Sequence, residues 1–195
     1  HKNIRNLAAN LPDDPHDAIQ ISGTQVKKPQ DQLLSFAQER LWFIESYEGG
    51  SNAYNIPLLF KLKDNVSLKS LISAIHAVVK RHEILRTLIR QTPEGTSYQE
   101  VMDGSSFSVA ERSLSSPEEL SLAFTRAANH IFKLDREYPI QAEIFTLTNA
   151  RYISIVAHHI AFDGWSTEIL FKDISGYYSY YESIGNHSPE TSANK

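Results

Sequence analysis

Apolar residues along the chain alternate between helical spacing and short β-branched runs, with turn residues between them. Residues 33–47, LLSFAQERLWFIESY, set Phe36, Leu41, Trp42 and Ile44 as a partly buried side against Gln38, Glu39, Arg40 and Glu45. That pattern predicts an amphipathic helix capped by Ser35. Gly49 to Asn52 reads as a turn, and Tyr54 to Leu62 as a strand with Pro57 near its start or on a sheet edge. The clearest helix spans 67–80, where Ser67 caps and Leu68, Leu71, Ile72, Ile75 and Val79 form the stripe. Leu88 to Arg90 reads as a strand, the turn 92–96 as a hairpin, and Tyr98 to Val101 as its return. Phe107 to Ala110 forms a further candidate strand. Pro117 opens a helix with Leu122, Ala123, Ala127 and Ile131 inside, and Pro139 to Phe145 alternates as a strand. Tyr152 to Val156 then reads as a buried strand, and Leu170, Ile174, Tyr177 and Tyr181 mark a last helix ending near Ile184 and Gly185.

The chain has 195 residues, with 41% hydrophobic and 22% charged residues, which suits one soluble globular domain or a large part of one. A net charge of −4 without a basic run argues against a nucleic-acid partner. No apolar run approaches membrane-spanning length, and no signal peptide opens the chain, which starts at His1 and reads as an excised piece. The absence of cysteine excludes disulfides and a thiol nucleophile and fits a cytoplasmic setting. Residues 12–31, with Pro12, Pro15 and Pro29 among aspartates, keep no apolar period and read as an interdomain linker. Residues 1–11 place Ile4, Leu7, Ala8 and Leu11 on one helical face, and 186–195 read as a loose tail.

The candidate chemistry gathers at His158-His159-Ile160-Ala161-Phe162-Asp163-Gly164-Trp165-Ser166, where a strand ends and a helix begins. Neighbouring strand residues face opposite ways, so the two histidines have different jobs. His158 is expected to pack inward and His159 to face a cavity. Asp163 lies four residues beyond His159, close enough for a turn to bring its carboxylate back. Gly164 lets a substrate or a backbone approach. A paired histidine at a strand end is also a common structural feature. A His-His-Asp metal site fits less well, because adjacent histidines diverge and no further ligand cluster completes four.

This string resembles the HHxxxDG signature of nonribosomal-peptide-synthetase condensation domains, with Trp165 and Ser166 continuing the match. Ser35, Ala37, Gln38, Arg40, Leu41, Trp42 and Phe43 resemble the family's opening S-x-AQ-x-RLWF motif, and Arg81 to Thr87 resembles its RHE-x-LRT motif. The Tyr54-Asn55-Ile56-Pro57 string leans toward subclasses taking a D-configured or epimerised donor. The resemblance implies an α/β (α+β sandwich) fold, like one lobe of chloramphenicol acetyltransferase, with a mixed sheet flanked by helices. It also implies that residues 32–185 form the N-terminal lobe of a two-lobed domain, and that residues 1–11 are the last helix of a carrier protein.

By resemblance, the reaction is attack of an acceptor α-amine on a donor thioester. Both substrates ride on phosphopantetheine arms of partner carrier proteins, and the domain needs no cofactor of its own and no metal. His159 takes the catalytic place, supported by His158, Asp163, Gly164, Trp165 and Ser166. Ser166 either caps the following helix or reaches the site. A buried arginine needs a carboxylate, so Arg86 is expected to pair with Asp163, with Arg81 as the reserve partner. Other implied partners are the C-terminal lobe and a neighbouring adenylation domain. The competing readings are an epimerization domain of the same superfamily, a free-standing coenzyme A acyltransferase, and, for this fragment alone, a non-catalytic carrier-docking half.

Overall fold

The computed structural model describes residues 32–48 and 50–185; the expected N-terminal helix, the linker and the tail lie outside them. The elements are α1 (Phe36–Glu48), β1 (Asn55–Leu62), α2 (Leu68–Arg81), a 3-10 turn (Glu83–Arg86), β2 (Thr87–Gln91), β3 (Ser97–Val101), β4 (Val109–Ser113), α3 (Pro117–Ala128), β5 (Ile140–Leu147), β6 (Ala150–His158) and α4 (Gly164–Gly185). Four strands form a mixed sheet in the order β1-β6-β5-β4, and β2 and β3 form a separate hairpin. β6 runs antiparallel to both neighbours, whereas β4 and β5 are parallel. The result is the mixed sheet flanked by helices that the resemblance implied. Among the described residues, no helix is long and apolar enough to cross a membrane.

β6 lies inside the sheet, and its alternation splits the core. Ile153, Ile155 and Ala157 meet Leu71, Ala74, Ile75 and Val78 of α2 and Leu170 and Ile174 of α4. Val156, on the other face, joins Phe132, Leu134, Ala127 and Ile160, with Leu41 and Trp42 of α1 packed against them. Covered on both faces, β6 reads as a continuous apolar run, as an inner strand should. β1 is an edge strand, which accommodates Pro57 opposite Val156.

Caps set the helix starts. Ser67 accepts a hydrogen bond from the Ser70 N–H (3.3 Å) and opens α2. At α1, the Ser35 hydroxyl accepts from the Gln38 N–H (3.3 Å) while the Gln38 side chain accepts from the Ser35 N–H (2.9 Å), a reciprocal capping box. α1 stops where the Gly50 N–H returns to the Glu45 carbonyl (2.8 Å) with φ at +97°. A Cβ at Gly50 would meet Ile131 Cγ2 at 2.5 Å, so only glycine fits that close approach.

The burial of α1 corrects the sequence expectation. Phe36 is 92% exposed, whereas Glu45, assigned to the polar side, is 5% exposed. The inward stripe comprises Leu34, Gln38, Leu41, Trp42 and Glu45, and two polar residues in it blur the helical period. Leu122 and Ile131, expected inside, are exposed, because Ala123 and Ala127 make the packed side of α3. The expected strand 107–110 begins later, at Val109, leaving Phe107 to fill the core from the preceding turn.

Candidate active site

β6 delivers the two histidines in succession, and the core decides their environments. His158 continues the Ser154–Val156 face and is fully buried, with the Tyr54 and Phe132 rings 6.2 and 6.0 Å away. Its Nδ1 accepts a hydrogen bond from the Ile160 N–H (3.1 Å), so the ring proton belongs on Nε2. Nε2 faces Glu45 Oε1 at 3.4 Å. Burial holds His158 below the ordinary imidazole range, against the opposing pull of Glu45, so the ring is neutral.

His159 is exposed, and its N–H donates to the Tyr54 carbonyl (2.8 Å), which pins the backbone where the strand ends. His159 lines a cleft of about 470 Å³ with Ser35, the cap of α1, Gln38 and Leu41 of α1, Ile84 of the 3-10 turn, and Phe162 and Asp163. The motif helix α1 is therefore a wall of the histidine cleft as well as part of the core. A smaller apolar pocket, lined also by Leu85, Ile169 and Leu170, adjoins it and shares Ile84, Ala161, Phe162 and Ser166.

Asp163 is exposed and caps α4. Its Oδ1 accepts from the Ser166 N–H (2.8 Å) and hydroxyl (2.7 Å). The Ser166 hydroxyl accepts in turn from the Asp163 N–H at 3.3 Å. These bonds, with a smaller contribution from His159, hold the Asp163 carboxyl below the usual carboxylate range. Of the two roles open to Ser166, the geometry shows the cap. A Cβ at Gly164 would meet nothing within 4 Å, so the close backbone approach that glycine would allow is not made by a described residue. Trp165 projects into solvent, 84% exposed.

The expected Arg86–Asp163 pair is not formed. Arg86, with a side chain 14% exposed, donates to the carbonyls of Met102 and of Lys80 (3.2 Å) and lies 3.4 Å from Glu83 Oε1. Its charge is met by backbone carbonyls, one from the last turn of α2, where the helix dipole is negative. The reserve partner Arg81 instead sits 3.3 Å from Asp173 of α4, whose Oδ2 also takes His82 Nε2 at 2.7 Å. The RHE-x-LRT segment thus ties α2 to α4 and to the end of β3 without touching the motif aspartate. Among the described residues, no group of three or more His, Cys, Asp or Glu side chains is placed to hold a metal ion.

Sequence reasoning missed Glu45, because its place on an aromatic helix offers no signal that a carboxylate turns inward. It offered Ser166 as a cap of the last helix but not Asp163, although Asp163-Gly164-Trp165-Ser166 has the spacing of a capping box.

A sequence model of the condensation domain matches residues 28–192. The chain belongs to the condensation-domain family. Over 162 residues this condensation-domain chain is 38% identical to a probable non-canonical nonribosomal peptide synthetase, CymA, of Salinispora arenicola, an alignment covering 83% of this chain and 2% of that protein. It is 35% identical over 163 residues to the dimodular nonribosomal peptide synthase of Bacillus subtilis, covering 80% of this chain and 7% of that one. Among solved structures, the X-domain from teicoplanin biosynthesis superposes with a TM-score of 0.73 at 23% identity, over 83% of this chain and 34% of that one. The starter condensation domain of the rhizomide synthetase RzmA gives 0.69 at 19% identity, over 78% and 38%. The condensation-domain chain thus spans a few per cent of the synthetases and about a third of the solved chains it matches.

Two outcomes test this geometry. In a double-mutant cycle, Asp163→Ala lowers the melting temperature through the lost cap, Asp163→Asn restores it, and the effects of Asp163→Ala and Arg86→Met add; strong coupling between positions 86 and 163 would mean that they pair. For His158, the folded pKa lies below the unfolded value of ~6.5, so its contribution is complete above that pH and is lost as pH falls toward the folded value. Urea unfolding at pH 7.5 and 5.5 should show the wild type losing more stability than His158→Gln, by up to about 1.4 kcal/mol per pH unit. Equal pH dependence would contradict a buried neutral ring.

Proposed function

We propose that this chain is the N-terminal half of a cytoplasmic nonribosomal-peptide-synthetase condensation domain. In this reading it helps form the amide bond between a donor acyl or peptidyl thioester and the α-amine of an acceptor aminoacyl thioester. The partners are two carrier proteins bearing phosphopantetheine arms, the C-terminal lobe, and a neighbouring adenylation domain. The observation that carries the reading is the exposed His159, backbone-pinned at a strand end and lining a cleft.

The chemistry suits that arrangement. The amine nitrogen attacks the thioester carbon, the C–S bond breaks, the carrier thiol leaves and the amine loses a proton. An imidazole beside the nitrogen accepts that proton or its hydrogen bond, a form of help typically worth about 10²–10⁴ in rate. Holding two tethered reactants in the cleft supplies proximity. His158, buried and neutral, is spared that role and holds the turn beneath. Asp163 anchors α4 and places a carboxylate close enough to His159 for the two to interact electrostatically.

An epimerization domain shares the HHxxxDG string, but the Trp165-Ser166 continuation and Arg81 to Thr87 favour condensation. The open cleft also supports a second reading, in which this half alone docks carriers without catalysis. One solved relative of this fold is recorded in complex with OxyB, another protein of teicoplanin biosynthesis.

The test uses the complete two-lobed domain with loaded donor and acceptor carriers. His159→Ala should lower peptide formation by about 10²–10⁴ while the melting temperature stays unchanged, because the ring is exposed. Unimpaired turnover would overturn the reading. This chain mixed with the second lobe and loaded carriers should give peptide, and this chain with the carriers alone should not.

A further inference from the structure

Beneath His159 lies a buried polar contact that none of the three motifs assigns. Glu45 lies in the last turn of α1 and is 5% exposed. One carboxyl oxygen, Oε2, accepts the Ser51 N–H at 2.7 Å. The other, Oε1, has no hydrogen-bond partner and lies 3.4 Å from His158 Nε2, which has none either. A buried donor and a buried acceptor left unpaired are costly, and native cores rarely leave both. Here they face each other, a few tenths of an ångström beyond the usual range of about 2.7–3.2 Å.

The consequence runs along the strand. An acceptor at Nε2 keeps the His158 proton there, which leaves Nδ1 free to accept the Ile160 N–H (3.1 Å). That bond closes the turn from His158 to Ala161, where the Ala161 N–H also donates to the His158 carbonyl (3.0 Å). His159 is the first residue inside this turn. Moving the proton to Nδ1 would set two donors, Nδ1–H and the Ile160 N–H, against each other and push the turn open. Glu45 itself is fixed by the Ser51 N–H and by the Gly50 stop of α1. α1 and its cap also supply Ser35, Gln38 and Leu41 to the cleft, so the same helix forms the wall and carries the acceptor that faces His158 Nε2.

We propose that Glu45 is a positioning residue for His159, acting through His158: its carboxyl oxygen holds the Nε2–H tautomer, and that tautomer fixes the backbone from which His159 projects. The effect on turnover rests on the reading of His159 given above; the tautomer and the turn do not.

Two measurements test it. In this chain, long-range ¹H–¹⁵N spectra of the histidine side chains should show His158 as a single Nε2–H tautomer with a slowly exchanging Ile160 amide. Glu45→Leu should lose the single tautomer and speed Ile160 exchange at least about tenfold. In the complete domain, Glu45→Leu should lower kcat by about 10- to 100-fold with KM for the loaded acceptor carrier unchanged. An unchanged tautomer in a folded Leu variant, or an Nδ1–H tautomer in the wild-type chain, overturns the proposal. So does an unimpaired kcat in a folded Leu variant. Full turnover by His159→Ala would instead overturn the functional reading and leave the Glu45 contact standing.

Discussion

A β-strand turns each successive side chain to the opposite face, and at the end of β6 that rule gives two neighbouring imidazoles opposite environments. One is sealed under Phe132 and Tyr54 and stays neutral because charging it there means desolvating it. The other emerges from the sheet with its backbone still hydrogen-bonded to Tyr54. The alternation is rigid because β6 is paired on both sides and packed on both faces. A one-residue slip would turn His159 inward and His158 outward, and would swap Ile153, Ile155 and Ala157 with Val156 between two core clusters shaped for the present order. The cost of that slip is what aims the exposed ring.

The loop beyond the strand is held by short-range bonds at each end. At its start, the His158 ring and carbonyl take the Ile160 and Ala161 amides. At its end, Asp163 and Ser166 cap α4. α4 is moored further along, where Asp173 gathers Arg81 and His82 from the end of α2. The three family motifs therefore meet the site in different ways. One forms the strand end and helix cap, one locks two helices together, and one lays α1 along the cleft.

How much of this could be read in advance depended on the strength of the local signal. α2 was legible because its stripe repeats cleanly behind a serine cap, and the β2–β3 hairpin because Gly95 marks its turn. The inward path of His158 followed from strand period alone. α1 was misread because its inward stripe carries Gln38 and Glu45, so hydrophobicity pointed Phe36 the wrong way. The Arg86 partner was misread for another reason. The expectation of a distant carboxylate overlooked nearer acceptors: the Lys80 carbonyl at the end of α2, the Met102 carbonyl just after β3, and Glu83 Oε1 at 3.4 Å. Asp163 kept a structural role, but toward its own helix, a local preference that outweighed a long-range ion pair.

The division of labour between the two rings is most directly tested by their chemical accessibility in the folded chain. Brief treatment with diethyl pyrocarbonate, followed by peptide mapping with fragmentation that separates positions 158 and 159, reads both in one experiment. Modification of His159 at the rate of a free imidazole, with His158 untouched until the chain is unfolded, is the predicted result. Modification of His158 in the folded protein, or protection of both rings, would contradict the account.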